Sequence, residues 1–241
     1  MFLLFWLWLS LLGQEKTDSL LAYARYLYNH RHLADTNFIN CRKIWEGVLN
    51  SYPHNEEVLR GLAEMNQYLA SQTKDRTEKL RYLTRGLAFA ETLIKVNDKN
   101  PWGHFWYAAN YGEICRIRGV MKSLTAIPKL KAEFSKVLEL DPKNFDALYA
   151  LGMIYYETPE LVGGNKKQAL DYFEKAIAID SNYTLPYIDL AKYYISKNEL
   201  QTAKKLLNRV LFTKKPVYPA DYFLNDRPIA ESLLVKIESG K

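Results

Sequence analysis

Four histidines, two cysteines and several carboxylate pairs are the residues of this chain that could do chemistry. His30 and His32 stand two apart, so on a helix they point to different sides and cannot share a metal. His54 and His104 stand alone, and Cys41 and Cys115 lie far apart with no CxxC spacing. Glu56-Glu57 and the pair Glu157 and Glu160 read as solvated charges at helix ends. Gly163-Gly164-Asn165-Lys166-Lys167 lacks the spacing of a phosphate-binding loop and reads as a turn before a capped helix. No catalytic residue, cofactor or metal is expected, and the chain reads as non-enzymatic.

The unusual quantity is aromatic content, 14% of 241 residues, with 18 Tyr, 10 Phe and 5 Trp. Tyr, Trp and Arg carry most of the binding energy at protein interfaces. The chemistry on offer is therefore recognition. A composition of 48% hydrophobic and 25% charged residues excludes a disordered tail or a collagen-like rod. The net charge of +6 fits a solvated basic face, and no nucleic-acid partner is expected.

The elements that must position these rings are helices, since Gly (11) and Pro (9) are scarce. Phe134-Ser-Lys-Val-Leu-Glu-Leu-Asp-Pro142 repeats as Phe173-Glu-Lys-Ala-Ile-Ala-Ile-Asp180. Each is followed by Leu, a small residue and Tyr at helical spacing: Leu151, Gly152, Tyr155, then Leu190, Ala191, Tyr194. This order resembles the tetratricopeptide repeat (TPR), a helix–turn–helix unit of 34 residues. Repeats start near 22, 56, 101, 145 and 184, at intervals of 34, 45, 44 and 39 residues. The excess is placed where helix A of a repeat turns into helix B, with Ile127-Pro128 just before helix B of the third. The fold expected over residues 18–238 is an all-α, right-handed superhelical TPR solenoid of about five repeats. Residues 218–238 are expected to form a C-terminal capping helix.

The third and fourth repeats carry more than the generic motif. Asn100-Pro101-Trp102-Gly103-His104-Phe105-Trp106-Tyr107-Ala108 opens a long helix, and Pro159 is followed by Gly163-Gly164 just before helix B. This insertion resembles the T component of TRAP transporters, a family of periplasmic TPR proteins. It is similar also to other bacterial repeat proteins and to their eukaryotic relatives that regulate microtubule dynamics. The resemblance covers residues 20–215. It implies a periplasmic accessory that associates with a solute-binding protein and handles a small ligand. The T component is lipid-anchored, and here no Cys follows the apolar leader to take a lipid.

That leader is Phe2–Leu12, FLLFWLWLSLL, too short to span the ~30 Å bilayer core as a helix. Residues 1–13 read as a signal peptide or an N-terminal anchor, so the chain is expected to be exported, periplasmic or otherwise extracytoplasmic.

In such a solenoid helix A lines the concave side through positions two, five, nine and twelve. The candidate partner-binding groove is therefore Tyr23, Tyr26 and His30; Arg60, Glu64 and Gln67; Trp102, Phe105 and Ala109; Tyr149, Met153 and Tyr156; and Ile188 and Lys192. Tyr107, Tyr111, Tyr155, Tyr194, Trp45, Phe134 and Phe173 are assigned to packing between repeats. The expected function is an exported scaffold whose aromatic groove binds a protein segment or a partner subunit, the alternative being the T-component-like accessory. A homo-oligomer is compatible with both.

Overall fold

Helix starts in this chain are written into its asparagines. Asn55, Asn100, Asn144 and Asn165, with Asp75, take extended backbone, and the side chain of each accepts from an amide of the first turn. Such a cap contributes about 1 kcal/mol. Pro101 follows Asn100 at the first helical position, where its missing N–H costs nothing.

The computed structural model describes the backbone of residues 2–239 and the side chains of residues 15–239. The leader expected at residues 1–13 lies outside the described side chains. Among the described residues there is no strand, and no helix is long and apolar enough to cross a membrane. Five consecutive helix pairs make up the fold: α1 (Phe2–Asn29) with α2 (Asp35–Ser51), α3 (Glu56–Gln72) with α4 (Arg76–Val96), α5 (Pro101–Arg118) with α6 (Val120–Leu140), α7 (Phe145–Glu157) with α8 (Lys166–Ile179), and α9 (Leu185–Ser196) with α10 (Leu200–Leu211). A short helix α11 (Pro219–Asp221), a π-helical turn over Tyr222–Asp226 and α12 (Arg227–Glu238) complete the chain, and α12 packs on α10. This is the all-α TPR solenoid.

The extra residues of the second and third repeats are not loops. They lengthen both helices: α3 and α4 have 17 and 21 residues, and α5 and α6 have 18 and 21, against 12 each for α9 and α10. Few breakers stand in these stretches, so the amphipathic pattern simply runs on. Pro128 consequently lies inside α6 and not before it. The fourth repeat does hold a loop, a 3-10 turn over Glu160–Val162. Gly163 closes it at φ +94°, a conformation that L side chains rarely adopt. A Cβ on Gly164 would lie 1.8 Å from the Thr158 carbonyl oxygen. The two glycines thus have a purely steric role.

The core depends on close approach at the small positions. A Cβ on Gly152 of α7 would meet the Phe173 ring at 2.6 Å and the Ala169 carbonyl of α8 at 3.2 Å. Phe173 and Ala169 are both fully buried, so neither can move aside. Gly86 of α4 stands in the same relation to Asn110 and to the Ala63 carbonyl. Trp45, Phe134 and Phe173 fill the core between repeats, as their register positions require. Cys41 and Cys115 are buried free thiols, and burial raises the pKa of Cys41.

Gly152→Ala should therefore destabilise the chain by about 1–3 kcal/mol through overpacking. Gly47, exposed on α2 with nothing within 4 Å of where a Cβ would stand, is the contrast. Gly47→Ala should stabilise by about 0.5–1 kcal/mol. Urea denaturation of both variants checks this pair of opposite signs.

Candidate functional site

Helix α3 contacts α1 on one side and α5 on the other, and Tyr149 of α7 reaches Asp189 of α9. The inner face of this layer carries charge as well as rings. Arg25 of α1 donates to Glu64 at 2.5 Å and to Glu57 at 2.9 Å, both on α3. The Arg60 guanidinium lies 3.7 Å from the ring centroid of Trp102 on α5, with its nearest carboxylate, Glu57, at 3.9 Å. Burial and the neighbouring Arg25 lower the pKa of Arg60. It is a half-buried cation (the side chain is 26% exposed) stacked on a large ring. Such a stack suits recognition of a carboxylate or a further ring.

The expected groove residues divide into two sets. Tyr23 and Tyr26 are each 53% exposed, and the Tyr26 ring stacks on His30 at 4.1 Å. Arg60, Glu64, Gln67, Trp102, Met153 and Tyr156 are half-buried on the same layer. Tyr156 is covered by the Lys166 ammonium, 3.5 Å from its ring centroid. The other set is taken up by contacts within the chain. Phe105 packs edge-on against Phe134 and Trp106. Tyr149 packs on Phe173 and Tyr183, and its hydroxyl donates to Asp189 at 2.7 Å. Ile188 is 1% exposed. Lys192 is exposed but paired with Asp189 at 2.9 Å. Position along a helix sets the side from which a ring leaves, while its length lets it fold back into the core.

The four histidines also find plain roles. His30 and His32 lie in the turn after α1, because that helix ends at Asn29. His32 stacks on Phe223 at 4.8 Å. His104 is buried between the Glu133 carboxylate and the Asp98 carbonyl. Among the described residues no group of three His, Cys, Asp or Glu could hold a metal ion.

The capping helix expected at 218–238 is present as helix from Pro219 to Glu238, with the π-helical turn over Tyr222–Asp226 inside it; what sequence reasoning missed is where its first turn and the segment leading into it lie. Pro216 and Pro219 break it, and it runs back across the inner face before α12 begins. The Tyr218 hydroxyl donates to Asp146 of α7 at 2.5 Å, and its ring meets Phe145 and Tyr183. Asp221 accepts from Arg31, just after α1 and 190 residues away. The Arg31 side chain is only 3% exposed, its guanidinium 4.5 Å from the ring centroid of Tyr28 and 4.4 Å from that of Tyr68, two rings set nearly at right angles, and it also donates to the Tyr28 carbonyl. The π-helical turn then points Tyr222 and Asp226 to one side. Their hydroxyl and carboxylate bond to the Val210 carbonyl and to Thr184. We call residues 212–226 the arm. Two signals in the sequence pointed to it: Asp146, a carboxylate at the second register position, and the paired prolines around Tyr218.

Buried carboxylates give this face its own pH response. Burial pushes the Asp146 carboxyl up to about 6, against the opposing hydrogen bonds from Tyr218 and Tyr183. Burial also pushes Asp226 up to about 6, with Thr184 opposing and Asp221 and Asp189 adding to the rise. Folded pKa values above the unfolded ones mean that the folded chain binds more protons between about pH 4 and 6. Stability from these two groups is present below pH 4 and lost as the pH rises through 6. Acidification from pH 7 to 5 should thus stabilise the chain, by on the order of 2 kcal/mol per group at most. Urea midpoints against pH check this, and Asp146→Asn should flatten the slope.

The family model for regulator of microtubule dynamics protein 1-3 matches residues 20–167, and a tetratricopeptide repeat model matches residues 164–216. The chain is 25% identical to regulator of microtubule dynamics protein 1 of Bos taurus over 191 residues, which cover 72% of this chain and 59% of that protein. It is 25% identical to protein 3 of Rattus norvegicus over 164 residues, covering 68% of this chain and 34% of that one. The chain therefore spans 34–59% of the length of these two relatives. In fold it is similar to a thermophilic TPR protein of Thermus thermophilus, with a TM-score of 0.67 at 19% identity, covering 91% of this chain and 99% of that one. The pilF protein of Pseudomonas aeruginosa gives a TM-score of 0.53 at 14% identity, over 92% of each chain. The matching family is thus the one named for microtubule dynamics, and not specifically the transporter T component. By the match over residues 20–167, the chain belongs to the regulator of microtubule dynamics protein 1-3 family.

Proposed function

We propose that this chain is a non-enzymatic scaffold that binds a segment of a partner protein along the inner face of its helix layer. The observation that carries this reading is the Arg60–Trp102 stack, at 3.7 Å, with the exposed rings of Tyr23 and Tyr26 on the same layer. These groups are absent from the core clusters, and large aromatic and guanidinium groups of this kind are the usual anchors of protein interfaces. TPR folds generally serve protein–protein interaction, which supports the same reading.

A peptide library selected against the chain should yield segments that bind at this stack. Trp102→Ala should weaken them at least about tenfold, the loss of one anchor residue, with the helical circular dichroism unchanged. Selected peptides indifferent to Trp102→Ala and to Arg60→Ala would contradict the reading. Family membership favours a more specific version, in which the segment belongs to a cytoskeletal polymer. Co-sedimentation with microtubules, reduced by Trp102→Ala, supports it; a chain that stays wholly in the supernatant refutes it.

A further inference from the structure

Among the described residues six arginines place a guanidinium over an aromatic ring: Arg25, Arg31, Arg60, Arg81, Arg85 and Arg209. Five of them donate to an oxygen of the chain. Arg25 meets Glu57 and Glu64, Arg31 meets Asp221, Arg81 meets Glu78, Arg85 meets Glu46, and Arg209 meets the Ser181 carbonyl. Arg60 is the exception. Its nearest carboxylate oxygen, on Glu57, stands 3.9 Å away, too far for a hydrogen bond, and its Nε is buried without a partner.

We propose that Arg60 receives a carboxylate side chain, Asp or Glu, carried by the partner segment that docks on the inner face. This inference rests on the reading that the inner face binds a protein segment, and it names the residue type that seats at the stack.

Carboxylates of the chain do lie near Arg60, but each is already engaged. Arg25 holds Glu57 at 2.8 Å and Glu64 at 2.5 Å, and Asp146 accepts from the Tyr218 hydroxyl at 2.5 Å. None can turn to Arg60 without leaving its own donor. The two neighbouring arginines respond in opposite ways. Burial works against the charge of Arg25, but Glu64 and Glu57 outweigh it and raise the pKa. Burial and the adjacent Arg25 lower the pKa of Arg60. Arg60 is a cation drawn partly out of water without an anion of its own to offset the desolvation. An incoming carboxylate supplies that anion.

The surroundings narrow the choice. Trp102 covers one face of the guanidinium at 3.7 Å, which leaves the edge for two-point, in-plane donation to a carboxylate. The nearby charges of Glu64 and Glu57 oppose a second negative charge, so a phosphate is disfavoured. The exposed rings of Tyr23 and Tyr26, on α1 beside α3, give the rest of a segment further contact that a small free acid could not use.

The test captures amidated dodecamer peptides on the immobilised full chain, from three random pools whose central residue is fixed as Glu, Gln or phosphoserine. The Glu pool should be retained at least about tenfold over the other two, the scale of a charged hydrogen bond. Arg60→Met, which keeps an apolar stem against Trp102, should erase that preference, and Arg60→Lys, which keeps the charge but not the fork, should restore only part of it. Without peptide, Arg60→Met should raise the urea midpoint, while Arg25→Met, which strands Glu57 and Glu64, should lower it. Equal retention of the Glu and Gln pools overturns the proposal. If that retention still falls with Trp102→Ala, the broader reading survives; if it does not, both fall. Equal retention of the phosphoserine pool makes this a phosphate site, and a Glu preference abolished by phenylacetate at the peptide's own concentration makes the occupant a small acid; either result overturns the proposal. An Arg60→Met midpoint that falls as that of Arg25→Met does would make Arg60 a structural arginine, with the same consequence.

Discussion

The interaction on which the closed form of this solenoid depends is a guanidinium out of water. Arg31 is 3% exposed against two tyrosine rings, one on α1 and one on α3, and its carboxylate comes from the far end of the chain. A buried charge left without its partner typically costs about 3–5 kcal/mol. The first repeat therefore depends on the arm for the carboxylate that meets this charge. In an open repeat array each unit depends only on its neighbours, and stability is close to a sum of local terms. Here α1 touches α11, so the ends are coupled and the array gains a long-range contact.

This closure changes what the inner face is. Its polar groups alternate in sign, with Arg25 between Glu57 and Glu64, Arg60 against Trp102, and Asp146 and Asp189 each meeting a tyrosine hydroxyl. Tyr218 completes the Asp146 pairing from within the chain, and Asp221 meets Arg31. One stretch of the face is therefore already occupied, while the stack of Arg60 on Trp102 and the rings of Tyr23 and Tyr26 stay partly open to solvent. Low dielectric around the buried carboxylates is also why their protonation feeds back on stability.

Much of the fold was legible because its signals are local. An asparagine before an apolar period starts a helix, and a small residue where two helices touch fixes their spacing; both are visible one turn at a time. The long helices α3 to α6 were less so, since extra residues without breakers look the same whether they form a loop or continue a helix. The register puts Arg60, Glu64 and Trp102 on the inner layer, but it also offers Phe105, Tyr149 and Ile188 as available groups, and these pack into the core. A side chain's register position does not say whether a neighbouring repeat has room for it. The arm was least legible. Asp221 and Arg31 are 190 residues apart, and no local pattern joins a short Pro-flanked segment to the turn after the first helix. The aromatic surplus remains the best clue, because it is divided among core, arm and open face.

The central claim is that the arm lies against the first repeat of its own chain, and a distance-sensitive label tests it most directly. Leu33 is 65% exposed and lies in the turn that holds Arg31 and His32. A nitroxide attached at Leu33→Cys, in a Cys41→Ser, Cys115→Ser background shown to remain folded, should broaden the amide resonances of residues 220–224. The broadening should persist when labelled chain is diluted into unlabelled chain without isotope, which makes it intramolecular. Sharp arm resonances alongside broadened ones in α1 and α2 would place the arm elsewhere and contradict the account.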